Sequence, residues 1–124
     1  LAADAYHGLG LLYARRDLGA SVQYLREATR RNPTDAGARN DLGYALLRAG
    51  RYAEAMPELS TAIELEPNDD KSRNNLLLLL MLTGDEAGVK RVINEAAITP
   101  DVVARMRNEA RNLQARRAGP GVKK

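Results

Sequence analysis

One interval dominates this sequence. Leu25-x-x-Ala28-x-x-x-x-Pro33 returns as Leu59-x-x-Ala62-x-x-x-x-Pro67, each position displaced by 34 residues. Upstream, Leu9-Gly10 recurs as Leu42-Gly43 after 33 residues, and Arg16-Asp17-Leu18 is echoed by Gly50-Arg51-Tyr52 and Gly84-Asp85-Glu86. A third copy starts near Asp70, with Leu76, Leu80, Val89, Ile93 and Ala96 at the corresponding places. A repeat of this length is one supersecondary unit that cannot bury its apolar face alone, so copies must stack.

The contents of the repeat say what the unit is. The chain has 124 residues with 20 Ala and 18 Leu, five Tyr, and no Phe, Trp or Cys. A core of Leu, Ala, Ile, Val and Met favours close-packed helices over a sheet. The spacing predicts helices near 2–15, 18–31, 35–49, 52–65, 70–83, 86–97 and 100–117. They pair as antiparallel hairpins over about 2–34, 35–69 and 70–99, with a last helix over 100–117. In the second unit Gly43 and Ala55 are small where two helices approach closely. Leu46, Tyr52 and Leu59 fill the space between them, Gly50 allows the turn, and Pro67 cannot continue the helix it follows. Asn68 or Asp69 can then cap the next helix. Thr99-Pro100-Asp101 reads as a helix start. Val102, Val103, Met106, Ala110 and Leu113 form one apolar stripe, suited to covering the open end of a stack. The whole reads as a single domain over 1–118 with a flexible tail at 119–124, where Gly119-Pro120-Gly121 stops the last helix.

Departures from strict repetition are few. Ser21 replaces the small Ala of the first unit, whose first helix or turn is one residue short. Leu77 stands where glycine is expected in the third, and Pro100 falls one residue early. Pro57 lies inside a helix but near its start, where the lost hydrogen bond costs less.

The Leu42-Gly43, Leu46, Gly50, Tyr52, Ala55, Leu59, Ala62, Pro67 pattern resembles the tetratricopeptide repeat (TPR). That resemblance implies an all-α, right-handed superhelix of three helix-turn-helix repeats plus a capping helix. It also implies a concave groove lined by the first helix of each repeat. Carried onto this chain, the groove comprises Tyr6, His7 and Leu11 from repeat one. Repeat two supplies Asn40, Asp41, Tyr44, Leu47 and Arg48. Repeat three supplies Lys71, Asn74, Asn75, Leu78, Met81 and Leu82. The Asn side chains both donate and accept, which suits a peptide backbone. Lys71 and Asn75 keep part of the clamp by which some TPR domains hold a C-terminal carboxylate, but Asp41 replaces a key Asn and repeat one lacks the Lys and Asn. Within the family, the Asn40-Asp41-Leu42-Gly43-Tyr44-Ala45-Leu46 run and the Arg/Ala-rich style are similar to the TadD proteins of the tight-adherence (Flp) pilus and to pilotin lipoproteins. That resemblance implies a periplasmic domain at the outer membrane, held there only by a lipid anchor outside this segment, with a secretin subunit as partner.

Little else points to chemistry. Without cysteine there is no disulfide, thiolate metal site or cysteine nucleophile. His7 has Asp4 one turn away but no nearby serine to activate. Asp69-Asp70 and Asp85-Glu86 fall at helix starts, where acids cap and favour the dipole. No cofactor, metal site or catalytic residue is expected. Leu76 to Leu82 is far shorter than the ~20 residues of a membrane span, yet apolar all round its helix. Leu78, Met81 and Leu82 therefore either face an open groove or lie under the last helix. The formal charge of +3 hides an asymmetry: residues 1–100 carry 12 basic and 14 acidic side chains, and 101–124 carry 7 and 2. Arg105, Arg107, Arg111, Arg116 and Arg117 spread around their helix with no aromatic between them, so nucleic acid is not the expected partner.

The chain opens on Leu1, which reads as a fragment or mature form. The expectation is a non-catalytic scaffold that binds a peptide segment of a pilus or secretion component. A cytosolic TPR co-chaperone and the TPR portion of a larger enzyme are the rivals.

Overall fold

The computed structural model describes residues 2–119, and within them the chain forms seven α-helices and no strand. They are α1 (Ala3–Tyr13), α2 (Leu18–Arg31), α3 (Ala36–Arg48), α4 (Tyr52–Leu65), α5 (Asp70–Thr83), α6 (Glu86–Ala96) and α7 (Pro100–Ala118). Every helix end falls within two residues of the expected boundary. The proposed tail beyond Gly119 lies outside the described residues.

Local chemistry sets the boundaries. Asp17, Asp35, Asp69 and Asp85 each accept a backbone N–H of the first turn they precede, at 3.0, 3.2, 3.0 and 2.9 Å. These carboxylates satisfy amides that a helix start leaves orphaned, and they oppose the positive end of the dipole. Thr99 caps α7, with Pro100 in its first turn. At the other ends, α2 and α4 stop on Asn32 (φ −137°, ψ 81°) and Glu66 (φ −136°, ψ 78°). Each precedes a proline, whose ring disfavours the helical conformation in the residue before it. Gly50 (φ +77°) and Gly84 (φ +75°) end α3 and α5 in the left-handed region. The next amides, Arg51 and Asp85, reach back to Leu46 and Leu80 carbonyls at 2.9 Å. That is the six-residue closure a glycine favours at a helix end. Helix α4 runs unbroken through Pro57.

Helices α1/α2 and α3/α4 form tight antiparallel hairpins. Their closeness depends on missing side chains. A Cβ on Gly43 would come within 2.6 Å of Leu59, and one on Gly10 would strike Leu25, the residue 34 earlier in the chain. Ala55 is fully buried at the second junction, and Ser21 takes its place at the first, donating from Oγ to the Gly10 carbonyl at 2.6 Å. Leu25, Leu42, Leu46 and Leu59 are then almost wholly removed from solvent. In the third hairpin Leu77 replaces the glycine, and α5 and α6 pack over much less of their length. Ser72, where repeat two has Ala38, is buried with no hydrogen-bond partner for its hydroxyl among the described residues.

The stack runs α2 on α3 and α4 on α5. Helix α7 breaks the rule. It does not lie behind α6 as a further layer; it packs on α5. Helix α6 has 11 residues where α2 and α4 have 14. It ends about one turn early, with Ala97 at φ +51°. The chain therefore turns back over α5. The α7 stripe is the expected one: Met106, Ala110 and Leu113 are buried, and Val102 and Val103 pack against the core.

Gly43→Ala should cost about 1–3 kcal/mol by overpacking, whereas Gly8→Ala, with no described atom within 4 Å of the added methyl, should gain about 0.5–1 kcal/mol. Ala97→Gly should gain roughly 1 kcal/mol, because a left-handed residue with a Cβ is strained. Urea unfolding of the three variants checks all three outcomes.

Candidate functional site

The first helices of the three repeats, α1, α3 and α5, are laced together by polar contacts at the repeat interval. His7 Nε2 and Asp41 Oδ2 are 2.7 Å apart. Arg48 donates to the Ala14 carbonyl at 2.9 Å, and Asn75 donates to Asn40 at 2.9 Å. His7, Asp41, Arg48, Asn40 and Asn75 were expected to line the groove, the two Asn amides facing a ligand. The structure uses Asn40, Asn75 and His7 between repeats instead, because neighbouring first helices bring each pair within hydrogen-bond range.

Of the two readings of Leu78, Met81 and Leu82, the structure has the one that puts them under the last helix, so they and Leu47 leave the expected groove. Leu47, Leu78, Met81 and Leu82 are at most 8% exposed. They lie in the core shared with Met106, Ala110 and Leu113 of α7. Helix α7 covers the concave face of repeats two and three, which explains an α5 that is apolar all round. Tyr6 is not a groove residue either. Its ring lies 6.5 Å from that of Tyr24, with the Arg31 guanidinium 4.9 Å above it, against α2. Lys71 is exposed and Asn74 half-buried, both away from the remaining opening.

That opening is a cleft of about 850 Å³ between α1, α3 and α7. Its floor is apolar: Leu11, Leu25, Ala45 and Leu113. Leu11 is 53% exposed although it is a large aliphatic side chain. From α3 come Asp41, Tyr44 and Arg48, from the turn after α1 Ala14 and Arg15. Helix α7 adds Arg105, Asn108, Glu109, Asn112 and Arg116. Four of the residues expected from the sequence therefore meet here: Leu11, Asp41, Tyr44 and Arg48. The α7 set was missed. Its spacing (i, i+3, i+4, i+7, i+11) places it on one helical face. That signal was visible, but α7 read as a cap and its arginines were judged together, Arg107, Arg111 and Arg117 included.

Tyr44 joins the two walls. Its hydroxyl donates to Glu109 Oε2 at 2.5 Å, and Arg48 lies 5.9 Å from its ring centroid. Burial, and then the neighbouring Glu109 carboxylate, push the phenol up to about 12. Helix α7 is further tied by Arg107 to Glu86 at 3.1 Å and by Arg117 to the Ala49 carbonyl at 3.0 Å. A side chain on Gly50 would displace that guanidinium.

Stacked helical hairpins around a concave cleft define a helical-repeat interaction domain. Residues 8–70 match the family model of the tetratricopeptide repeat, and the chain belongs to that family. It is 41% identical over 118 residues to a TPR repeat-containing protein of Pseudomonas aeruginosa, PA4299, covering 94% of this chain and 44% of that protein. It is also similar to the peroxisomal targeting signal receptors of Kluyveromyces lactis (35% identity, 62% of this chain, 14% of the receptor) and Eremothecium gossypii (34%, 65% and 14%). The chain thus spans less than half the length of these relatives. Tetratricopeptide repeats are protein–protein interaction scaffolds and generally non-catalytic.

The Tyr44 phenol should titrate well above the ordinary value of 10.0. Its folded form holds the proton more tightly than the unfolded chain does, so this contribution to stability is complete below pH ~10 and is lost as pH rises towards ~12. Tyr44→Phe should flatten that decline in alkaline urea titrations, and it should remove the last component of the phenolate absorbance curve.

Proposed function

We propose that this chain is a peptide-binding module and that its binding surface is the cleft between α1, α3 and α7. The observation that carries this reading is the half-exposed Leu11 set over the buried Leu25 and Ala45 in a cleft large enough for several residues. Apolar pockets with a few convergent polar groups are the usual form of a binding site. The relatives named as receptors for a targeting signal support a peptide as the ligand. The open part is the repeat-one end of the concave face, since α7 fills the rest.

The finer reading is a TadD-like, pilotin-like role, in which the bound segment belongs to a secretin of the tight-adherence pilus at the periplasmic face of the outer membrane. The Asn40–Leu46 run and a bacterial relative that aligns with nearly the whole chain support it.

The test is selection of random dodecapeptides displayed on phage against the immobilised domain, followed by calorimetric titration of the selected peptide. Leu11→Asp should leave the urea midpoint nearly unchanged, as exposed substitutions do, and should abolish binding. Binding that survives Leu11→Asp overturns the cleft assignment. The terminal segment of the pilus secretin, titrated in competition with the selected peptide, tests the finer reading.

A further inference from the structure

The cleft has a charge that the repeats alone do not give it. Arg15, Arg48, Arg105 and Arg116 face it, against Asp41 and Glu109. Both carboxylates are engaged, Asp41 by His7 at 2.7 Å and Glu109 by the Tyr44 hydroxyl at 2.5 Å. Arg48 donates to a carbonyl at 2.9 Å, not to a carboxylate. Arg15, Arg105 and Arg116 are exposed and make no hydrogen bond or ion pair among the described residues. Elsewhere on the surface the arginines are mostly paired: Arg26 with Glu54, Arg30 with Glu27, Arg39 with Glu58, Arg51 with Glu54, Arg73 with Asp70 and Arg107 with Glu86.

Resting on the peptide-binding reading, we propose that the occupant is an acidic peptide segment: alternating apolar and carboxylate side chains, the apolar ones on Leu11 and Leu113 and the carboxylates on Arg15, Arg105 and Arg116. Helix α7 is then the specificity element. Its apolar stripe closes the groove of repeats two and three, and its opposite edge lines what remains with guanidinium groups. These form bidentate, charge-assisted hydrogen bonds with carboxylates. Lys71 and Asn75 take no part, the first lying outside the cleft and the second bonded to Asn40. The apolar floor separates this surface from a plain polyanion site, which would need no Leu11, and the cleft offers no unpaired aromatic on which a base could stack.

The experiment uses the displayed dodecapeptide library on the wild-type domain, on the Arg105→Gln/Arg116→Gln double variant and on Arg111→Gln, whose side chain lies outside the cleft. Peptides selected by the wild type should be enriched in Asp and Glu. The best of them should bind the double variant about tenfold more weakly and Arg111→Gln unchanged. Replacing its Asp and Glu by Asn and Gln should weaken it to the same degree. Selected peptides that need Leu11 but show no acidic bias, or that bind the double variant as well as the wild type, overturn the acidic ligand and leave peptide binding intact. Failure to select any Leu11-dependent peptide overturns both. Arginine-dependent retention of a duplex oligonucleotide or of phosphatidylglycerol vesicles, tighter than the acidic peptide, also overturns it in favour of a polyanion.

Discussion

The distance between helix backbones at Gly10 and Gly43 sets the dimensions of the rest of the molecule. With no Cβ at these points, Leu25 and Leu59 drive straight into the opposing helix, and Ser21 can reach the Gly10 carbonyl. Two hairpins of the same shape then stack with the same offset, which is why polar contacts between first helices recur at separations of 34 and 35 residues. The third hairpin lacks the glycine. Leu77 is itself buried there, and the space it needs comes from a looser α5/α6 pair. That pair covers α5 incompletely. An α5 of consecutive leucines would leave a large apolar patch in water, at about 25 cal/mol per Å². Helix α7 removes the patch by folding onto it.

This explains why a nominal capping helix sits on the concave side. A helix behind α6 would cover the end of the stack but leave Leu78, Met81 and Leu82 exposed. The short α6 and the left-handed turn at Ala97 release the chain early enough to take the other route. The links that hold α7 in place (Tyr44 to Glu109, Arg107 to Glu86, Arg117 to the Ala49 carbonyl) reach three different helix regions. Its position along the groove is thereby fixed at the middle and near its C-terminal end.

The helices and their pairing could be read from the sequence because they depend on local rules: aspartate caps, pre-proline exits, glycine turns and a repeated small-residue contact. The site was legible only in part. Assigning first-helix positions to a groove gathered Leu11, Asp41, Tyr44 and Arg48, which the structure brings to one cleft. It failed for Leu47, Leu78, Met81 and Leu82 because their burial depends on where a seventh helix docks, and that is a tertiary choice outside the repeat period. It failed for Asn40 and Asn75 because a residue with donor and acceptor groups suits a neighbouring repeat as well as a ligand. Tyr6 was misplaced by one helical face, towards α2 instead of α3.

The basic C-terminal segment shows how one helix can carry opposite roles. Judged as a set, its arginines point everywhere. Sorted by what they touch, they separate. Arg107 and Arg117 fasten α7 to α6 and to the end of α3. Arg105 and Arg116, eleven residues apart in the sequence, share a face with Asn108 and Asn112 and meet Arg15 across the cleft. Like charges gathered at an exposed rim repel only weakly, since mobile ions screen them within about 8 Å at physiological ionic strength. An unpaired cluster is therefore tolerable in the free domain. It becomes favourable when carboxylates enter and water leaves, because the same charges then interact through a lower dielectric. A rim of this kind contributes little to folding, so its arginines can be altered with little risk to the fold. The buried half of α7 has no such freedom.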